Sequence, residues 1–190
     1  MRENTLLWCS PSFFIDFIIN IGGILTFLAN YKKKRGKHMK HRHQVLFQQL
    51  ERYRNEVLQV LDFITKEHAE VVPQGFHNNI RWNMGHLYLD QYLWLEAITN
   101  EKSKDLLPFQ AWFGFGTSPA NFTEETPSFE ELKGLLKSQP GNIKAKYGDK
   151  LEIEFPAIDM GMNTIEQVLI RTIFHEGMHL QAILDIKKCL

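Results

Sequence analysis

Two histidines four residues apart, His175 and His179, lie inside a helical pattern that runs from Thr164 to Lys187. Residues at i and i+4 share one face of a helix, one turn apart, so both imidazoles can reach a single metal ion. Two ligands do not close a metal site, and the position of a third decides the architecture. A ligand downstream on the same segment makes a zinc-protease motif. A ligand on another helix needs a bundle that brings two helix faces together.

The rest of the chain favours the bundle. Apolar residues recur with a period near 3.6 from Lys40 to Glu67, at Val45, Leu46, Leu50, Tyr53, Val57, Leu58, Leu61 and Ile64, with no Pro or Gly among them, which predicts a first helix. A second is expected from about Ile80 to Ile98. Lys102–Pro127, rich in aromatics, Pro and Gly, reads as a long ordered loop. A third helix is expected from Ser128 to Tyr147, with Ser128 and Glu131 as a capping box and Pro140-Gly141 as a kink or split. Leu151–Met162 reads as a brief extended connector. The fourth helix starts at Asn163 or Thr164, with Thr164 and Gln167 as a second capping box. The expected fold is an all-α four-helix bundle with a long aromatic loop between helices 2 and 3, and one domain suits a chain of 190 residues that is 44% hydrophobic.

The first 38 residues follow a different pattern. Ser12 to Ala29 is an apolar run broken by Asp16 and Asn20 and followed by the basic cluster Lys32–Lys37. As a membrane anchor it is near the lower length limit, and an aspartate in mid-span opposes insertion. The alternative is that translation starts at Met39: Lys34 to Met39 can be encoded so that a ribosome-binding GAGG stands about seven nucleotides before that codon. The expected division is therefore 1–38, an upstream extension or hydrophobic segment, and 39–190, the bundle. A mature chain beginning upstream of Met39 by intact-mass analysis from the native host would overturn the Met39 start.

Charge and cysteine content narrow the function classes. Lys plus Arg and Asp plus Glu number 22 each. Six of the basic residues but only Glu3 and Asp16 fall in residues 1–38, so the remainder is mildly acidic. No basic field marks a nucleic-acid binder. Cys9 and Cys189 stand at opposite ends of the chain and form no disulfide framework or thiolate cluster. A reducing, cytoplasmic setting fits, without membrane association unless residues 12–29 are a true anchor.

His86 is the candidate third ligand. It sits near the start of the second helix beside Trp82 and Leu89, on a face expected to point inward. A lone inward histidine is ordinarily a hydrogen-bonded core residue. Here a second helix offers His175 and His179, and three neutral imidazoles with an open fourth position form a recognised catalytic metal arrangement.

Three segments, Trp-Asn-Met-Gly-His-Leu at 82–87, Phe-Gly-Thr-Ser-Pro at 115–119 and His-Glu-Gly-Met-His-Leu at 175–180, make the chain resemble the DinB-like superfamily of metal-binding four-helix bundles over about residues 40–188. The resemblance implies that His86, His175 and His179 bind one divalent metal, nickel or zinc. It also implies a small-molecule thiol of bacillithiol type and an electrophile as reactants of an S-transferase, and a homodimer. Many members continue after the last ligand with x-Gly-Gln, where this chain has Leu180-Gln181-Ala182.

Several neighbours have more than one reading. Glu176 completes a literal His-Glu-x-x-His match, in which it would be the general base of a zinc protease. That reading needs a third ligand downstream, where Asp185 is the candidate; otherwise Glu176 is a solvated helix residue. Asp90 is placed to orient His86, and Arg171 to hold the carboxylate of an anionic thiol, unless the two form an ion pair. Trp82, Trp94, Trp112, Phe113 and Phe115 read as core and loop packing, although the aromatic loop could roof a metal pocket. A different class is a non-catalytic, metal-stabilised stress-response or binding module.

Overall fold

A computed structural model describes residues 39–190, so both the apolar run and the basic cluster lie outside the described residues. Six α-helices follow one another: α1 (His41–Leu61), α2 (Lys66–Glu70), α3 (Ile80–Thr99), α4 (Leu107–Phe113), α5 (Phe129–Tyr147) and α6 (Ile165–Lys188). The four long ones form a ring in which α1 and α3 each pack against both α5 and α6. Among the described residues no strand forms beyond an isolated bridge between Glu154 and Thr164, and no helix is long and apolar enough to cross a membrane.

The core has two apolar clusters with a polar layer between them. One contains Val57, Leu61, Ile80, Met84, Leu132 and Ile183; the other contains Leu46, Leu50, Leu95, Ile143, Val168 and Leu169. Arg54, Gln91, Gln139 and Glu176, one from each long helix, are buried between them. The order in which each helix meets the clusters gives its direction: α1 and α6 run one way, α3 and α5 the other. Because α3 and α5 are neighbours that run in parallel, the chain must return along the bundle to join them. That accounts for the long connection.

The caps explain the helix starts. Asn79 accepts from the Trp82 amide at 2.7 Å to start α3, and Asn100 ends it in the left-handed region. Ser128 with Glu131 and Thr164 with Gln167 form the expected capping boxes of α5 and α6.

Three elements depart from the sequence expectation. The first helix stops at Leu61, and after a turn Thr65 caps the short α2 by accepting from the His68 amide. The aromatic connection contains α4 and two 3-10 turns instead of loop throughout. Pro140 lies inside an α5 that continues to Tyr147. Proline has no amide hydrogen for the carbonyl four residues earlier, and Arg54 Nη1 donates to that Leu136 carbonyl at 2.8 Å instead.

Candidate metal centre

The helices α3 and α6 pack together and bring His86, His175 and His179 to one point. One ligand atom from each ring lies within 4.8 Å of the others. The three side chains are partly buried, and a cavity of about 490 Å³ opens over them.

Hydrogen bonds determine which ring nitrogen is available. His86 Nδ1 lies 2.7 Å from the Phe113 carbonyl, and His175 Nδ1 lies 3.0 Å from Asp90 Oδ2. Both partners can only accept, so each Nδ1 carries the proton. His179 Nδ1 lies 2.8 Å from Asn83 Oδ1. The orientation of that amide is set by its other end, where Asn83 Nδ2 donates to the Asn79 carbonyl at 2.8 Å. All three rings therefore present an Nε2 lone pair to the centre.

Such an arrangement is unfavourable unless a cation or a shared proton lies between the lone pairs. His175 Nε2 and His179 Nε2 are 3.2 Å apart. Two nitrogens held 2.0–2.1 Å from one tetrahedral zinc ion are about 3.4 Å apart. The donor set and its spacing thus fit a divalent metal. Burial lowers the His179 pKa to about 3, helped by repulsion from His175 and His86, and burial likewise lowers that of His86 against the pull of the Phe113 carbonyl. Neutral imidazoles, the form that binds metal, are the result.

The surrounding residues hold these rings in place. Trp82 stacks on His86 with ring centroids 4.7 Å apart, and its Nε1 donates to Thr117 Oγ1 at 2.9 Å. Thr117 donates to the Gly114 carbonyl at 2.8 Å, so the turn that supplies the Phe113 carbonyl is bound to the helix that supplies His86. Asp90 accepts from His175, from Arg171 Nη1 at 2.5 Å and from Trp94 Nε1 at 3.1 Å. Burial alone would raise the Asp90 pKa, but the hydrogen bond from His175 and the positive charge of Arg171 hold it below the ordinary value.

The structure places the remaining candidates differently from one another. Asp90 faces His175, not His86. Arg171 is paired with Asp90 and stacked on Trp94, 4.4 Å from the ring centroid. Glu176 is neither solvated nor beside the imidazoles: it is 3% exposed and accepts from Arg54 Nε at 2.5 Å in the polar layer. The His-Glu-x-x-His match therefore has no general base at the cluster. Asp185 bonds to Gln181 and Lys188 on the surface. Trp112 and Phe113 are core residues, and Phe115 is fully exposed at the cavity.

Asn83 and the Phe113 carbonyl were not anticipated. Asn83 is three residues before His86 on one helix face, a spacing that could have indicated it. The carbonyl carries no side-chain signal. A second group, His43, Glu152 and Glu166, is also compact enough to hold a cation. Arg42 already pairs with both carboxylates and Lys40 with Glu152, which makes it an ion-pair cluster.

A parallel-and-antiparallel ring of four helices with a three-imidazole cluster between two of them defines an all-α protein with a candidate divalent-metal centre. The chain belongs to the DinB superfamily, whose sequence profile matches residues 49–183. No curated protein matches it.

Proposed function

We propose that the chain binds one divalent metal, nickel or zinc, through Nε2 of His86, His175 and His179, and catalyses transfer of a small-molecule thiol to an electrophile. The observation behind this reading is that each Nδ1 lies against an oxygen acceptor, which leaves the three Nε2 atoms to converge below an open cavity. A bound metal of this kind lowers the pKa of a thiol, raising the fraction of nucleophile at neutral pH.

The chain's own residues orient the site. Asp90, Asn83 and the Phe113 carbonyl fix the three rings, and Trp82 covers one face of His86. In the net reaction the thiol S–H bond and the bond to the electrophile's leaving group break, a C–S bond forms, and the leaving group departs with the proton.

The test uses protein purified without a histidine tag. One equivalent of nickel or zinc per chain is expected, together with thiol conjugation that disappears with the metal in His175→Ala. Conjugation retained after metal loss would overturn the mechanism. Strong destabilisation by chelator with no turnover in metal-loaded wild type would instead favour a metal-stabilised binding module.

A further inference from the structure

The cavity over the three imidazoles has an unusual wall for a site expected to receive an anionic thiol. Its surface is mainly apolar, with Phe76, Trp82, Phe115, Ala182 and Ile186 in the wall and the uncharged amides of Asn78 and Asn83 beside them. Among the described residues no Lys, Arg, Asp or Glu lines it, and apart from the three imidazoles His77 is its one titratable group. The cations nearest along the chain are engaged elsewhere. Arg171 is held by Asp90 and Trp94. Arg81 pairs with Glu70 at 3.0 Å and lies over the Phe122 ring. Lys187 lies over the Phe63 ring.

We propose that this cavity accepts an uncharged ligand with an apolar, preferably aromatic, body, and that Phe115 is a specificity-determining contact for it. With the ligand's donor atom on the metal, a carboxylate at the far end of its body loses water against these walls without meeting a protein cation, whereas an uncharged aromatic body gains contact with Phe76, Phe115 and Ile186 at no such cost. Phe115 is fully exposed, yet it borders the cavity. It stands between Gly114 and Gly116, the latter at φ +82, in a turn that Thr117 anchors to Trp82. An aromatic body in the cavity would cover this ring. The inference rests on the metal reading for the anchoring of the ligand's donor atom, and concerns the body attached to that atom.

The test compares two thiols of similar shape, benzyl mercaptan and 4-(mercaptomethyl)benzoate, binding to the zinc-loaded full chain by titration calorimetry. The neutral thiol is expected to bind at least about tenfold more tightly. Phe115→Ala should weaken benzyl mercaptan by about three- to tenfold without changing zinc content, since the side chain it removes is at the mouth. Ala182→Lys should narrow or reverse the preference by supplying the missing cation. If the wild type takes up neither zinc nor nickel, the metal reading and this inference both fall; if it takes up nickel alone, the same comparison is made on the nickel-loaded chain. Zinc uptake with equal or tighter binding of the carboxylate, or an unchanged benzyl mercaptan affinity in Phe115→Ala, overturns this inference alone.

Discussion

At the scale of single residues, Gly85 links core packing to the metal centre. A Cβ built on it would lie 2.3 Å from the Phe113 ring, so the two segments touch only because residue 85 has no side chain. Phe113 also provides the carbonyl that orients His86. Gly85→Ala should therefore cost about 1–3 kcal/mol through overpacking and weaken metal binding by displacing the Phe113 carbonyl from His86. Unchanged metal affinity in a folded Gly85→Ala protein would show that Phe113 does not position His86. Asp90→Ala should lower metal affinity about 10- to 100-fold by releasing the His175 ring, read by competition with a chromogenic chelator. The three histidines were readable as one cluster because helix spacing brings His175 and His179 together and His86 had an apolar setting. Their hydrogen-bond partners were less so. Which imidazole Asp90 faces depends on the relative rotation of α3 and α6, and the residue pattern of either helix alone does not contain it.

At the scale of elements, the polar layer matters most. Arg54 on α1 donates to Glu176 on α6, to Gln139 and the Leu136 carbonyl on α5, and its Nη2 lies 3.5 Å from Gln91 on α3. One guanidinium thus ties all four long helices and fixes their axial register. Removing one partner of a buried pair leaves the other charge without compensation, so Glu176→Ala should cost about 3–5 kcal/mol, with a smaller loss in Glu176→Gln, which keeps an acceptor. Metal stoichiometry should persist in either variant well below its melting temperature. Loss of metal without loss of stability, measured by denaturant titration and elemental analysis, would return Glu176 to the metal centre. The same network explains why Pro140 does not split α5, an outcome invisible in the local sequence because Arg54 is remote from it. The end of α1 was equally hidden: Leu61 and Ile64 keep the helical period, and only the Thr65 cap restarts the chain. The seven residues of α4 are too few to establish a period.

Across the whole molecule, the partly buried neutral imidazoles make stability depend on acidity. His179 has a folded pKa of about 3 against an ordinary 6.5, and that of His86 is lowered as well. Between those values the unfolded chain binds protons that the folded chain refuses, so stability falls as pH drops below 6.5. At pH 5 the His179 contribution to that loss is about 2 kcal/mol. Asp90 acts in the same direction in a lower window: its folded pKa is below 3.8, so its stabilising contribution is lost only as the carboxyl protonates. The histidine and carboxylate effects are therefore separable. Metal-free protein should lose about 2 kcal/mol or more between pH 7.5 and pH 5 in denaturant titrations, before carboxylate protonation becomes important. Added metal should oppose this at pH 7.5, by about 2.7 kcal/mol at a hundredfold excess over its dissociation constant. His179→Gln should flatten the metal-free profile and abolish the protection together. Metal-free wild-type stability that stays constant from pH 7.5 to pH 5 would mean that these rings are not held neutral, and with it would go the physical basis for three lone pairs meeting between α3 and α6.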